Sequence, residues 1–108
     1  PSTGIWLVRF TATLKTSGNT VGRAAYNIDV TTDNSTYTQV TNPAWFGATT
    51  TDANGYMTGV SEAIVDVTNT TNVNVRFHAD QVTNNNNETQ GSSSTNNTSV
   101  VFIRLGDT

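Results

Sequence analysis

The sequence contains no cysteine. Disulfides, zinc–thiolate sites and cysteine nucleophiles are therefore excluded. A single histidine, His78, removes multi-histidine metal sites and weakens any Ser-His-Asp arrangement. Charge is scarce: 12% of the residues are charged, with one Lys, four Arg and a formal net charge of −3. A nucleic-acid binder needs clustered Lys and Arg to meet phosphates, and this chain has no such cluster. No apolar run approaches the roughly 20 residues of a membrane span, so membrane insertion is not expected. No signal peptide or lipidation motif is visible, and the chain opens on Pro1 rather than Met, as a processed product or a fragment does.

What the chain has instead is threonine, asparagine and serine, which make up 44 of its 108 residues. The length suits one domain, residues 1–108. Thr and Asn are poor helix formers, and Thr fits well in strands. No stretch shows a helical period. Period two is evident instead. Trp6, Val8, Phe10, Ala12 and Leu14 form one apolar face. Ala24, Tyr26, Ile28 and Val30 form another, opposite Arg23, Asn27 and Asp29. Ala63, Val65 and Val67 alternate with polar residues, and Val73, Val75, Phe77 and Ala79 lie opposite Asn74, Arg76 and His78. Tyr37–Val40, Tyr56–Val60 and Ser99–Leu105 complete the expected strands. Turns are expected at Lys15–Thr20, Asp33–Ser35 and Asn69–Asn72. Residues 41–54 read mostly as loop, and residues 83–98 as a low-complexity exposed loop. Seven or so short strands joined by turns predict an all-β protein, an antiparallel β-sandwich or jelly roll.

The first and last strands carry apolar residues on both faces. Ile5 and Leu7 lie opposite Trp6 and Val8, and Val100 and Phe102 lie opposite Val101, Ile103 and Leu105. A sandwich strand has one face on the core and one in solvent, so a second apolar face reads as an interface with another subunit. Arg9, Arg76 and Arg104 fall on the non-core phase of three strands, with His78 beside Arg76, and Arg is enriched at interfaces. The expected interface residues are Ile5, Leu7, Arg9, Arg76, His78, Val100, Phe102 and Arg104.

Gly4-Ile5-Trp6-Leu7-Val8-Arg9-Phe10 resembles the Gly-x-aromatic-x-x-x-aromatic strand of the C1q/TNF-like jelly roll. Arg23–Asn34 is similar to the strand and tight turn that follow in that family, 59–67 to its next long strand, and 73–79 and 99–105 to its last two. The closing Phe102-Ile103-Arg104-Leu105-Gly106-Asp107 resembles the ends of such modules in bacteriophage tail fibres and virion appendages. Two departures stand out. Asn69-Thr70-Thr71-Asn72 replaces the usual Gly-Asp before the penultimate strand. Only Pro1-Ser2-Thr3 precedes the Gly-x-aromatic strand, where the family has further strands. The resemblance implies a homotrimer, outside the cell or on a virion, with one sheet near a threefold axis, other virion proteins as partners, and host surface glycans as a possible contact.

No catalytic constellation stands out. Asp29, Asp33, Asp52, Glu62, Asp66, Asp80, Glu88 and Asp107 are scattered, so the chain is not expected to be an enzyme, and no cofactor is expected. Asp33 with Asn34, or Asp52 with Asn54, has the oxygen chemistry of a calcium ligand, but these are ordinary turn residues and the turn reading is preferred. Five N-x-[ST] sequons occur, about the number chance supplies in so Asn- and Thr-rich a chain. Uncharged polar side chains also suit sugar hydroxyls, with Trp45, Phe46 and Tyr56 as aromatic candidates for stacking on a glycan. The leading reading is a trimeric module of a viral fibre or appendage. The alternatives are a capsid decoration protein and a non-viral carbohydrate-binding module.

Overall fold

The computed structural model describes residues 2–17, 21–41, 44–49, 54–82 and 87–108. Eight strands form in chain order: β1 (Gly4–Ser17), β2 (Val21–Thr31), β3 (Thr38–Gln39), β4 (Ala44–Thr49), β5 (Asn54–Val67), β6 (Asn74–Val82), β7 (Asn87–Thr89) and β8 (Ser99–Gly106). Among the described residues there is no helix. The protein is an all-β antiparallel sandwich of two sheets.

In the first sheet β1 is central. It pairs with β5 along its whole length, from Gly4↔Val67 to Ser17↔Asn54. Its other edge is shared between β8, which covers residues 5–11, and β7, which covers 14–16. In the second sheet β2 is central. β6 lies along one edge, and β4 and β3 follow one another along the other.

The alternating patterns explain how the sheets meet. Val8, Phe10, Ala12 and Leu14 of β1 face Ala24, Tyr26 and Ile28 of β2, and Ala63, Val65, Val67 and Val73 close the core. Trp6, Val30, Val75 and Phe77 pack partly buried against it. Leu14, Ile28 and Val8 are almost wholly enclosed. Each such side chain contributes about 2 kcal/mol of burial free energy. Phe10 anchors the aromatic packing, edge-on to Tyr26 at 5.7 Å and tilted to Phe77 at 5.2 Å. One polar tie crosses the core: buried Ser61 donates its Oγ–H to the Tyr26 carbonyl.

Gly4 fixes where β1 begins. Its φ is +138°, a region that side-chain-bearing residues rarely adopt. A Cβ there would sit 2.6 Å from the Gly106 carbonyl oxygen and 2.9 Å from Arg104 Nε. The β1–β8 ladder shifts register at Ile5/Trp6, with Ile5 opposite Gly106 and Trp6 opposite Arg104. Leu105 is the extra residue of this bulge.

Four expectations about elements are corrected. β1 runs on to Ser17, so Lys15–Ser17 is strand; residues 18–20 of the expected turn lie outside the described residues. Residues 44–49, read as loop, form β4 because the β2 edge offers them a ladder from Val21↔Thr49 to Tyr26↔Ala44. Pairing of this kind overrides weak local propensity. Tyr56–Val60 and Glu62–Val67 are one continuous strand. The low-complexity stretch contains β7, whose Lys15↔Glu88 register carries an ion pair of 2.7 Å. Of its other described residues, Gln90, Asn97 and Thr98 tie back to β1, and 91–96 form an exposed loop. Gln90 N donates to Thr13 O at 2.8 Å, Thr13 Oγ1 to Asn97 O at 2.8 Å, and Thr98 Oγ1 to Gln90 O at 2.7 Å.

Candidate functional site: the outward face of the first sheet

Side chains directly opposite one another in an antiparallel ladder point to the same face. The outward face of the first sheet can therefore be read row by row from its register. Ile64, Leu7 and Ile103 form one row across β5, β1 and β8. Glu62, Arg9 and Val101 form the next, followed by Val60, Thr11 and Ser99. Thr58 pairs with Thr13, with their hydroxyls 2.9 Å apart. Tyr56, Lys15 and Glu88 make up the last row. Ile64 is 70% exposed and Ile103 46%, and Val60, Val101 and Tyr56 are exposed beside them. Ile5 and Leu7 are half-buried. This is a contiguous apolar band on a sheet face that an isolated sandwich would turn to water.

Two of its cations are paired within the chain, and exposed Asp66, opposite Ile5 at the end of this face, has no ion-pair partner among the described residues. Arg9 Nε donates to Glu62 Oε1. Lys15 donates to Glu88, and the hydrogen bond and charge of that carboxylate raise the Lys15 pKa.

β8 borders the band, and among the described residues one of its edges is unpaired in the first sheet. Val100, Val101, Phe102, Ile103 and Leu105 are all exposed. Two other edge strands carry charge, Glu62 and Asp66 on β5 and Arg76 and Asp80 on β6, whereas β3 and β4 carry none. Residues 100–103 of β8 carry no charge, glycine or proline, the usual devices that keep an edge from pairing. Beneath β8, at one end of the sandwich, a cleft of about 170 Å³ is lined by Trp6, Val8, Val65, Val67, Val73, Val75, Asn74 and Phe102.

The expected interface residues divide into three groups. Ile5, Leu7 and Arg9 lie together on the outward face of the first sheet, as expected. Val100, Phe102 and Arg104 do not, which is a correction. The register places them opposite Phe10, Val8 and Trp6, on the phase that faces the other sheet. Phe102 meets Phe77 edge-on at 6.1 Å. The outward residues of β8 are Val101 and Ile103. Arg104 binds Asp107 and approaches the Thr3 carbonyl at 3.4 Å. Arg76 and His78 belong to the second sheet and so cannot share a face with Arg9.

Arg76 and His78 join a different group, absent from the sequence-based expectation. Asp29, whose side chain is 5% exposed, accepts Arg76 Nε at 3.0 Å and Nη2 at 2.7 Å through one oxygen. The Arg76 guanidinium lies 4.5 Å from the Tyr37 ring centroid. His78 Nε2 is 3.1 Å from Asp80 Oδ1, and buried Asn27 donates Nδ2 to Asp80 at 3.4 Å. Cross-strand register alone builds this group: Asp29↔Arg76, Asn27↔His78 and Ala25↔Asp80. Within it the buried Asn27 Oδ1 has no hydrogen-bond partner among the described residues.

The residues singled out for glycan contact do not converge. Tyr56 stands exposed at one end of the first sheet. Trp45 and Phe46 are on β4 of the second sheet, and their side chains lie outside the described residues. Asp33 and Asn34 form a turn. Asp33 Oδ1 accepts Thr36 N at 2.8 Å, Thr31 Oγ1 at 2.7 Å and Ser35 N at 2.9 Å, the saturation of a turn carboxylate and not of a cation ligand. Asp52 and the Asn54 side chain lie outside the described residues. Among the described residues no group of three or more His, Asp or Glu is placed to hold a metal ion.

The residues missed from the sequence are Ile64, Val60, Val101 and Ile103. A signal for Ile64 was present: within the alternating run 62–67 it is the one large apolar residue on the polar phase. No protein family, curated protein or solved structure matches the chain.

Proposed function

We propose that the chain is a non-enzymatic structural module that assembles with copies of itself as a homotrimer through the outward face of the first sheet. One observation carries this reading: the exposed row Ile64–Leu7–Ile103, continued by Val60 and Val101, on a face where Arg9 and Lys15 are paired in cis with Glu62 and Glu88. A face whose cations are paired in this way, and whose one further charge is Asp66 at its end, suits a copy of itself better than a strongly charged partner. The resemblance of Gly4–Phe10 to the C1q/TNF-like jelly roll suggests the threefold symmetry, and that of Phe102–Asp107 to the ends of such modules in viral fibres suggests the setting, a virion appendage. Strand order supports a jelly roll: from β1 to β2, β4 to β5, β5 to β6 and β6 to β7 the chain passes from one sheet to the other. The uncharged, Thr- and Asn-rich surface fits an exposed position on a particle, with host glycans as the contact such a position would offer.

The test is mass in solution by light scattering on the purified chain at two concentrations. Three copies are expected, and Ile64→Asp should give one. A wild-type protein that stays monomeric at both concentrations would remove the reading.

A further inference from the structure

The Arg9–Glu62 pair interrupts the apolar band between its rows, with Arg9 on the central strand β1 and Glu62 on the edge strand β5. The row of Leu7, Ile64 and Ile103 borders it on one side, and Val60 with Thr11 on the other. Val101 flanks Arg9 directly. The two side chains are 49% and 44% exposed. A second copy that covers the band must cover this pair as well. We infer that Arg9 and Glu62 act as the register element of the self-interface. The inference rests on the self-association proposed above and assigns the pair a role within it.

The physical reasoning concerns specificity. Aliphatic rows on a sheet face attract without direction, so two such faces can meet in several offsets. An ion pair within the rows allows only those offsets that keep both charges hydrogen-bonded once water is expelled. Holding register is the best-attested use of a buried polar pair. In the free chain the pair is exposed and contributes little to folding. In the assembly, removing one partner leaves the other as an uncompensated charge in an apolar contact. Removing both leaves a continuous apolar surface.

Arg9→Met, Glu62→Met and the double variant separate these roles, since Met keeps the stem and loses the charge. Sedimentation velocity reports mass across a concentration series, and thermal unfolding in dilute solution reports the fold. Each single variant should associate about a hundredfold more weakly than wild type, with dilute unfolding little changed. The double variant should recover association but spread over several masses. Single variants that assemble like wild type would overturn the inference, as would a double variant of one defined mass. A monomeric wild type would show, before any variant is made, that the self-association itself is absent.

Discussion

Asp33 shows how much one carboxylate decides. Its Oδ1 gathers three donors and holds the chain as it leaves β2. That arrangement places Asn34 at φ 58°, where Asn is among the few tolerated side chains. Asn34 then ties this turn to the next one. Its N–H donates to Asn72 O at 3.0 Å, and its Oδ1 accepts from Asn74 at 2.9 Å. Hydrogen bonds from the Thr36 amide, the Thr31 hydroxyl and the Ser35 amide pull the Asp33 pKa well below the usual carboxylate range. The sign follows from linkage. A depressed folded-state pKa contributes stability above the unfolded value, about 3.9, and loses it as pH falls toward the folded one. The thermal midpoint should therefore fall between about pH 4 and pH 2, and Asp33→Asn should flatten that fall while keeping one acceptor in place. Equal slopes for wild type and variant would show that the acid sensitivity arises elsewhere. The turn itself was legible, because Asp-Asn-Ser has a known local geometry. The link from Asn34 to Asn74 was not, since it joins residues 40 apart.

At the scale of the element, β8 is the informative case. Strands with one long apolar phase declared their inward face directly: the run Trp6 through Leu14, despite Ile5 and Leu7 opposite it, and Ala24 through Val30 and Ala63 through Val67 all point as alternation requires. β8 is apolar on both phases, so alternation cannot choose between them. Only its ladder with β1, and the bulge near Leu105, puts Phe102 inward and Ile103 outward. β4 and β7 were illegible for another reason. Each exists because a long neighbour has an edge to fill, β2 for β4 and β1 for β7. The phase of β8 leads to a paired prediction. Phe102→Ala removes the ring that meets Phe77 and lines the cleft, so it should lower folding stability by about 2 kcal/mol, less than a fully buried Phe would. Ile103→Asp places a charge on the outward face, so it should leave unfolding of the dilute chain within about 0.5 kcal/mol of wild type while reducing association. Denaturant unfolding and light scattering on both variants check this. The opposite pattern would mean that β8 pairs with β1 in a slipped register.

At the scale of the whole molecule, the sandwich is a thin slab of 49 × 29 × 19 Å. The sequence announced two layers but not which strands share one. Arg9 and Arg76, alike in phase, lie on different sheets because β1 pairs with β5 while β2 pairs with β6. A candidate interface assembled from phase alone therefore combined two faces of the slab. Small domains bury a modest share of their surface and are only marginally stable. Here one face keeps Ile64, Ile103, Val60 and Val101 exposed, so covering that face should add to the stability of the fold. Association that favours the folded state raises the unfolding midpoint with protein concentration. Across a hundredfold concentration range the midpoint should rise by several degrees, the scale that about 1–2 kcal/mol produces in a domain of this size. Salt separates the cause. The net charge is −3, and Arg9 and Lys15 of the band are paired within the chain, so molar NaCl should leave the concentration dependence in place. Contacts between charged surfaces would lose it. Differential scanning calorimetry over that range, with and without salt, distinguishes the two, and a midpoint independent of concentration would mean that the apolar face stays in water.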